Sequence, residues 1–304
     1  MGWRPVFLVN VPIGLAMLVI APRVLPAEER GATGRRRRPD LPGLTVLAAA
    51  VTLFTVPLVL GQAEGRPLWG WVCLALSAVF FALFTVIESR IARRGGAPLV
   101  TGRVLRAPGM ASAITVIIVT MAVNAGFLFA VALHLQSGLG YSALRTGLTF
   151  VTCAVTFGGI GLTWRRLPVS WRPWMAVTGL LLSALSFAGL GLALRGGGDG
   201  GPWLYATLLM LGLGLGLAFS PTFTLALSRV APGDAADASG LLATVTQLGR
   251  LVGVATIGTF FLNRLAGGGG AHASAHAYAV TAVALTAVSL AGAGCAVRWR
   301  ARRA

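Results

Sequence analysis

Lysine is absent from this sequence and acidic residues are scarce: all 25 basic residues are arginine, eight residues are acidic, and charged residues make up 11% of the 304. A water-soluble globular domain carries about 25% charged residues, so this composition excludes that class. Cysteine and histidine are rare, at three each, and every cysteine lies inside an apolar run. That placement favours neither a disulfide framework nor a metal site, and we predict no metal.

Long apolar runs make up most of the chain. Hydrophobic residues account for 56% of it, and its mean hydropathy is +0.81. A bilayer core of about 30 Å needs about 20 helical residues. The sequence therefore predicts an all-α, polytopic protein of the cell membrane, surrounded by the lipid bilayer, with about nine transmembrane helices. The nine runs lie at residues 5–22, 41–61, 68–88, 109–135, 143–163, 174–194, 203–227, 238–262 and 277–297.

The arginines are distributed unevenly between the connections of these runs. Nineteen follow odd-numbered runs, five lie on the opposite side, and Arg250 lies within a run. The net charge of +17 is compatible with a nucleic-acid binder, but its clustering between apolar runs, including the tetra-arginine segment 35–38, is typical of cytoplasmic loops, so we expect no nucleic-acid partner. By the positive-inside rule, the N-terminus is predicted outside and the C-terminus in the cytoplasm.

Glycines in two runs are spaced for close helix packing. Gly212, Gly214 and Gly216 resemble a dinucleotide-binding fingerprint, but they lie inside an apolar run and no strand precedes them. The four-residue spacing of Gly212 and Gly216, repeated by Gly249 and Gly253, instead predicts close approach of neighbouring helices.

Sites for catalysis or cofactors are not indicated. His272 and His276 are four residues apart in AHASAHAY, and on a helix they would share one face, but no third ligand is near and we expect a solvated outer loop. The sequence has no GxxxxGK[ST] loop and no set of nucleophile, base and metal ligands. We therefore expect neither an enzyme, nor a cofactor, nor an ATP-driven pump.

Three stretches resemble one family of membrane carriers. They are GWRPVFLVNVPIG at residues 2–14, LHLQSGLGYSALRTGL at 133–148 and FSPTFTLALSRVAPGDAADASGLLATVTQLGRLVGVA at 219–255. In that order they resemble the start of the sixth helix, the link between the ninth and tenth helices, and the twelfth-to-thirteenth helix region of the fourteen-helix drug:proton antiporters of the major facilitator superfamily, the EmrB/QacA type. The family often has an arginine at the position of Thr246, whereas here the arginine stands one helical turn later, at 250.

The resemblance implies a partial major facilitator fold that lacks the family's first five helices. A mis-called start, a frameshift or a natural truncation would produce it, and a separately encoded N-terminal half is then an expected partner. The implied division of the chain is residues 1–25 as the last helix of an incomplete N-terminal bundle, 26–40 as a basic cytoplasmic loop, 41–108 as two linker helices with a cytoplasmic loop, and 109–304 as a C-terminal six-helix bundle.

The resemblance also implies that the first, second, fourth and fifth helices of that bundle line a substrate cavity. Aromatic walls with few polar groups suit amphipathic or cationic drug-like compounds, although each phenylalanine could equally face lipid or pack between helices. Arg250 lies mid-run, where lipid exposure of an arginine costs about 2.5–3.5 kcal/mol, so we predict that it points into the cavity unless it is a tolerated substitution. His134 is either pH-sensitive or an interfacial polar residue. The candidate substrate-binding residues are Asn124, Phe127, Gln136, Phe150, Phe219, Thr222, Thr246, Gln247 and Arg250.

The implied function is proton-coupled efflux of drugs or other small molecules. Such carriers usually need an intramembrane carboxylate or histidine, yet all eight acids lie in loops or at helix ends. We therefore expect the coupling acid in the missing half and expect no activity from this chain alone. The alternative is a membrane fragment without transport activity, or a subunit that binds another membrane protein.

Overall fold

Every regular element that the structure describes is a helix, which confirms the predicted all-α class. The computed structural model describes residue 8 and residues 10–24, 41–60, 68–93, 102–265 and 270–301. Its α-helices are α1 (Asn10–Val24), α2 (Leu41–Leu60), α3 (Leu68–Arg93), α4 (Gly102–Arg106), α5 (Met110–Leu133), α6 (Ala143–Thr163), α7 (Met175–Ala193), α8 (Gly201–Leu227), α9 (Ala235–Gly253), α10 (Thr259–Leu265) and α11 (Ala271–Ala301).

Seven helical segments of the described residues are long and apolar enough to cross a membrane, and each overlaps a predicted run. The first two runs correspond to shorter apolar stretches, Gly14–Arg23 within α1 and Gly43–Pro57 within α2. The chain is therefore a multi-pass membrane protein. The orientation of its termini stays a prediction.

The chain divides into two compact units, Met1–Pro39 and Asp40–Ala304. In the first, α1 exposes apolar side chains such as Leu15 and Leu18, as a lipid-facing helix does. In the second, α2 and α3 pack on each other, and the buried Ser77 hydroxyl of α3 donates to the Ala50 carbonyl oxygen of α2 at 2.8 Å. The predicted boundary between residues 41–108 and 109–304 stays a prediction.

Helices α5 to α11 form a bundle around shared buried side chains. Helix α5 packs on α8, α9 and α11; α6 packs on α8; and α7 packs on α8 and α11. The largest buried cluster includes Phe127, Phe187, Leu211, Phe261 and Tyr278, drawn from helices that are distant in sequence. Burying these large side chains between helices stabilises the bundle through dispersion contacts, because lipid offers no hydrophobic driving force for association.

The connections gather at two ends of this bundle. One end, here the arginine end (residues 102–109, 164–174 and 228–234), is held together by an ion pair of 3.8 Å between Arg103 and Asp234 and by a 3.4 Å hydrogen bond from Arg229 to the Pro108 carbonyl oxygen. The other, here the opposite end, comprises the connections 138–142 and 195–200 together with Gly270 and the first turns of α11, residues 271–276. The helices thus run alternately up and down.

The glycine pairs are close-packing positions, as predicted. A Cβ added to Gly253 would lie 2.6 Å from Ala122 Cα and would overlap the Ala122 carbonyl oxygen on α5. A Cβ on Gly212 would overlap the Cys153 carbonyl oxygen on α6. Only glycine therefore allows α9 and α8 to approach these backbones so closely.

Helix α11 corrects the predicted outer loop at AHASAHAY. It begins at Ala271, directly after Gly270, whose φ of 106° is accessible to glycine, and the Ser274 amide already donates to the Gly270 carbonyl oxygen at 3.1 Å. The loop assignment of His272 and His276 is therefore wrong, although both side chains are exposed. Alanine, which alternates with these polar residues, has the highest helix propensity and explains the early start.

Candidate functional site

Helix α9 exposes small and polar residues instead of large apolar ones. Gly240, Ala243, Gln247 and Arg250 are exposed and follow one another at intervals of three and four residues, so they form one stripe along the helix. By contrast, the exposed residues of α6 include Leu144, Leu148, Val151 and Val155. Lipid favours an apolar stripe such as that of α6. The small and polar stripe of α9 fits a surface that meets water or protein.

Arg250 lies near the middle of the span Pro232–Leu265. Its Nη1 donates to the Gln247 Oε1 at 3.4 Å, which is a long hydrogen bond, and Thr246, half-buried, bonds its own helix at the Leu242 carbonyl oxygen. Among the described residues, Arg250 forms no ion pair. The predicted position of Arg250 in a substrate cavity stays a prediction.

The predicted aromatic residues fall into two groups. Phe127 is fully buried and meets Phe150 edge-on at 5.8 Å and Phe187 at 5.9 Å between ring centres. It is thus part of the bundle core, and a wall of a cavity would begin at the half-buried Phe150. Phe187 was not predicted, because the resemblance assigns no substrate contact to its helix α7.

The second aromatic group lies between α6 and α8. Phe219 stacks on Phe157 at 6.0 Å and meets Phe223 at 5.6 Å, and all three are half-buried. The predicted residues Asn124 and Thr222 are also half-buried. Phe157 and Phe223 were not predicted, although a spacing of four residues from Phe219 to Phe223 could have indicated a shared helix face.

His134 is buried at the start of a π-helical turn, His134–Gly138, that ends α5. Its Nδ1 lies 2.9 Å from the Ser274 Oγ, and its ring stacks on Tyr278 at 6.1 Å. Its burial comes from the facing helix α11. Gln136, two residues later, is exposed. Roles of either side chain in proton or substrate binding stay predictions.

A cluster of polar side chains lies at the opposite end of the bundle. The Tyr141 hydroxyl donates to the Asp199 carboxylate at 3.0 Å, and the Arg145 guanidinium donates to the Tyr141 oxygen at 2.8 Å while lying 3.6 Å above that ring. The Gly201 amide, together with the Tyr141 hydroxyl, holds the pKa of the Asp199 carboxyl below its usual value. Burial and Asp199 raise the pKa of the Tyr141 hydroxyl. The cluster links the α5–α6 connection to the α7–α8 connection.

The replacement Asp199→Asn is expected to remove a small, pH-dependent stabilisation. Because the pKa of Asp199 is lowered by folding, its contribution is present above the unfolded value of about 4 and is lost as the pH falls through the folded value. An exposed pair contributes about 0–1 kcal/mol, so the effect is modest. Thermal unfolding in detergent between about pH 6 and pH 3 should show a steeper acid loss for the native chain than for the variant. Equal slopes would contradict the assignment.

Fold and surface together define an all-helical, multi-pass membrane protein whose bundle exposes one small and polar helix face at mid-span. The chain belongs to the Major Facilitator Superfamily, whose sequence model matches residues 1–254. This match covers most of the chain and includes the bundle up to the end of α9.

Several relatives carry names that describe transport, export or drug efflux. The chain is 35% identical over 272 residues to the probable actinorhodin transporter of Streptomyces coelicolor, covering 87% of this chain and 46% of the relative. It is 32% identical over 268 residues to the cephamycin export protein CmcT of Amycolatopsis lactamdurans, covering 84% and 52%, and 29% identical over 259 residues to the drug efflux pump JefA of Mycobacterium tuberculosis, covering 85% and 50%. The chain therefore spans about half the length of the relatives it matches.

Proposed function

We propose that this chain supplies one helical bundle of a proton-coupled efflux carrier for small amphipathic or cationic drug-like molecules. The observation that carries the proposal is the exposed stripe of α9, with Arg250 at mid-span and no large apolar side chain in the stripe. A guanidinium there is stable only beside water, an anion or a protein partner, since its side chain is too short to reach either interface easily. A surface of that kind is what one bundle needs where it faces a second bundle across a wet pathway.

Two relatives named for export or efflux support the direction of transport, and each matches more than four-fifths of this chain. The membership of the fourteen-helix EmrB/QacA type is part of the proposal. In it, α2 and α3 are the two linker helices and α5 to α11 are the C-terminal bundle. The second bundle belongs either to further sequence of the same polypeptide or to a separate chain.

In this proposal the substrate meets the half-buried aromatic residues Phe150 and Phe219 together with the polar residues of α9. Aromatic faces attract organic cations without demanding one geometry, which fits chemically varied substrates. The remaining proposed contacts are Asn124, Gln136, Thr222, Thr246 and Gln247. Phe127 is left out of them because it is fully buried in the bundle core.

Proton coupling requires a group that titrates as access alternates. Of the described carboxylates, Asp199, Asp234 and Asp237 lie in connections or in the first turn of a helix. Glu88 is buried near the end of the span Leu68–Ile91, so none of the four lies at mid-span. We therefore assign the coupling acid to the second bundle, where a carboxylate could also pair with Arg250.

The test is a chimera in which this chain follows the first half of the Streptomyces coelicolor relative. Cells producing the chimera should export the cationic dye ethidium, and an uncoupler should stop the export. Cells producing this chain alone, or the first half alone, should export none, because alternating access needs two bundles. A chimera that reaches the membrane without exporting ethidium or any of a panel of amphipathic cations would favour a non-transporting interaction subunit.

A further inference from the structure

The connection between α6 and α7 concentrates arginine and tryptophan at the membrane boundary. Residues 164–174, WRRLPVSWRPW, contain three of each and lie where the span Ala143–Arg166 ends and the span Val169–Ala193 begins. The chain here forms two short 3-10 turns, Trp164–Arg166 and Val169–Trp174, and Trp164 is only 4% exposed where its turn contacts α8. The buried indole fixes the connection against the bundle, so the neighbouring charges have defined positions.

Two arginines from opposite ends of this connection flank the same ring. The guanidinium carbon of Arg165 lies 5.8 Å from the centre of the Trp164 ring, and that of Arg172 lies 6.0 Å from it. Both distances are within cation–π range. The Arg172 Nε is buried, so the inner part of this side chain packs against the protein. Interactions of this type orient the guanidinium planes while leaving terminal nitrogens able to donate.

These cations have no carboxylate partner among the residues that the structure describes. The ion pairs found there join Arg103 to Asp234 and Arg145 to Asp199, and neither involves residues 164–174. Three like charges fixed within one short connection repel one another, and such a site is stabilised by an anion. Arginine in particular binds phosphate oxygens through two parallel hydrogen bonds.

Apolar side chains beside the cations point to the source of that anion. Leu162 is 86% exposed, Val169 68% and Trp171 58%, so exposed apolar side chains lie in and next to the basic connection. Tryptophan at the end of a transmembrane segment lies at headgroup level. A free anion would gain nothing from these contacts, whereas a phospholipid has acyl chains and glycerol to cover them.

We propose that Arg165 and Arg172, positioned by Trp164, bind the phosphate of an anionic phospholipid in the leaflet at the arginine end. Trp171 and Val169 contact the glycerol and upper acyl region of the same lipid. The site depends only on membrane insertion of the chain, so this proposal is independent of the proposed transport activity.

The full chain in a nonionic detergent, titrated with dioleoylphosphatidylglycerol and followed by native mass spectrometry, tests the proposal. The chain should take its first phosphatidylglycerol at lower concentration than phosphatidylcholine. Each arginine beside an anionic surface strengthens association by about fivefold, so Arg165→Gln with Arg172→Gln should weaken the first binding event by about twenty-five-fold. Arg165→Lys with Arg172→Lys keeps the charges and should retain most of the preference.

The matched control is Arg195→Gln with Arg264→Gln, which removes two exposed arginines near the far ends of α7 and α10; Arg264 also lies over an aromatic ring, Phe260, at 5.4 Å. This variant should bind phosphatidylglycerol like the native chain. Equal weakening in the two glutamine variants, or loss in the lysine variant, would overturn the proposal. So would competition by inorganic phosphate beyond that of chloride at equal ionic strength, because the site would then take a free anion.

Discussion

The replacement Gly253→Ala is expected to separate α9 from α5 and to destabilise the bundle. The added methyl group would overlap the Ala122 carbonyl oxygen, and a backbone atom cannot turn aside as the end of a side chain can. Overpacking of a close contact costs about 1–3 kcal/mol, and here the displaced partner is a helix backbone. We therefore expect a lower yield of monodisperse protein and a lower unfolding temperature in detergent.

Gly240→Ala is the matched control on the same helix, because a Cβ at Gly240 would meet nothing within 4 Å. Glycine in a helix interior costs about 0.8–1.0 kcal/mol relative to alanine, so this variant should be neutral or slightly more stable. The two variants make the same chemical change and differ only in what the methyl group meets. If Gly253→Ala unfolded at the same temperature as Gly240→Ala, the close approach of α9 to α5 would be wrong.

The features that could be predicted from sequence are those that one helix shows by itself. Apolar runs gave the spans because a bilayer imposes a length, and the four-residue spacing of Gly249 and Gly253 indicated a packing face. The resemblance directed attention to Arg250 and Gln247, which do lie close together on α9.

The features that could not be predicted depend on contacts between distant parts of the chain. His134 is buried because Ser274 and Tyr278 on α11 cover it, and nothing near residue 134 in the sequence indicates that. The fully buried position of Phe127 likewise depends on Phe187 of α7. The early start of α11 is different in kind: its alanine-rich first turns could have been recognised from helix propensity, had histidine not suggested a polar loop.

The replacement Arg250→Leu is expected to separate stability from transport. In the described residues the guanidinium forms no ion pair, and its hydrogen bond to Gln247 is long at 3.4 Å. These contacts therefore offset little of the free-energy cost of a charge at mid-span. Leucine removes that cost. Yield and unfolding temperature of the chain should therefore stay equal or rise.

Export by the chimera should change in the opposite direction. If Arg250 faces the pathway between two bundles, Arg250→Leu removes the charge that pairs with a carboxylate of the second bundle or with an anionic group of the substrate. Losing one such contact costs about 2–5 kcal/mol, which corresponds to a decrease of about thirtyfold or more in the rate of uncoupler-sensitive ethidium export. Arg250→Lys should retain part of the activity because the charge remains, and Arg195→Leu at the opposite end should retain all of it. Full export by an Arg250→Leu chimera would show that Arg250 does not face the pathway. A fall in stability together with a fall in export would show that the arginine has a structural partner instead.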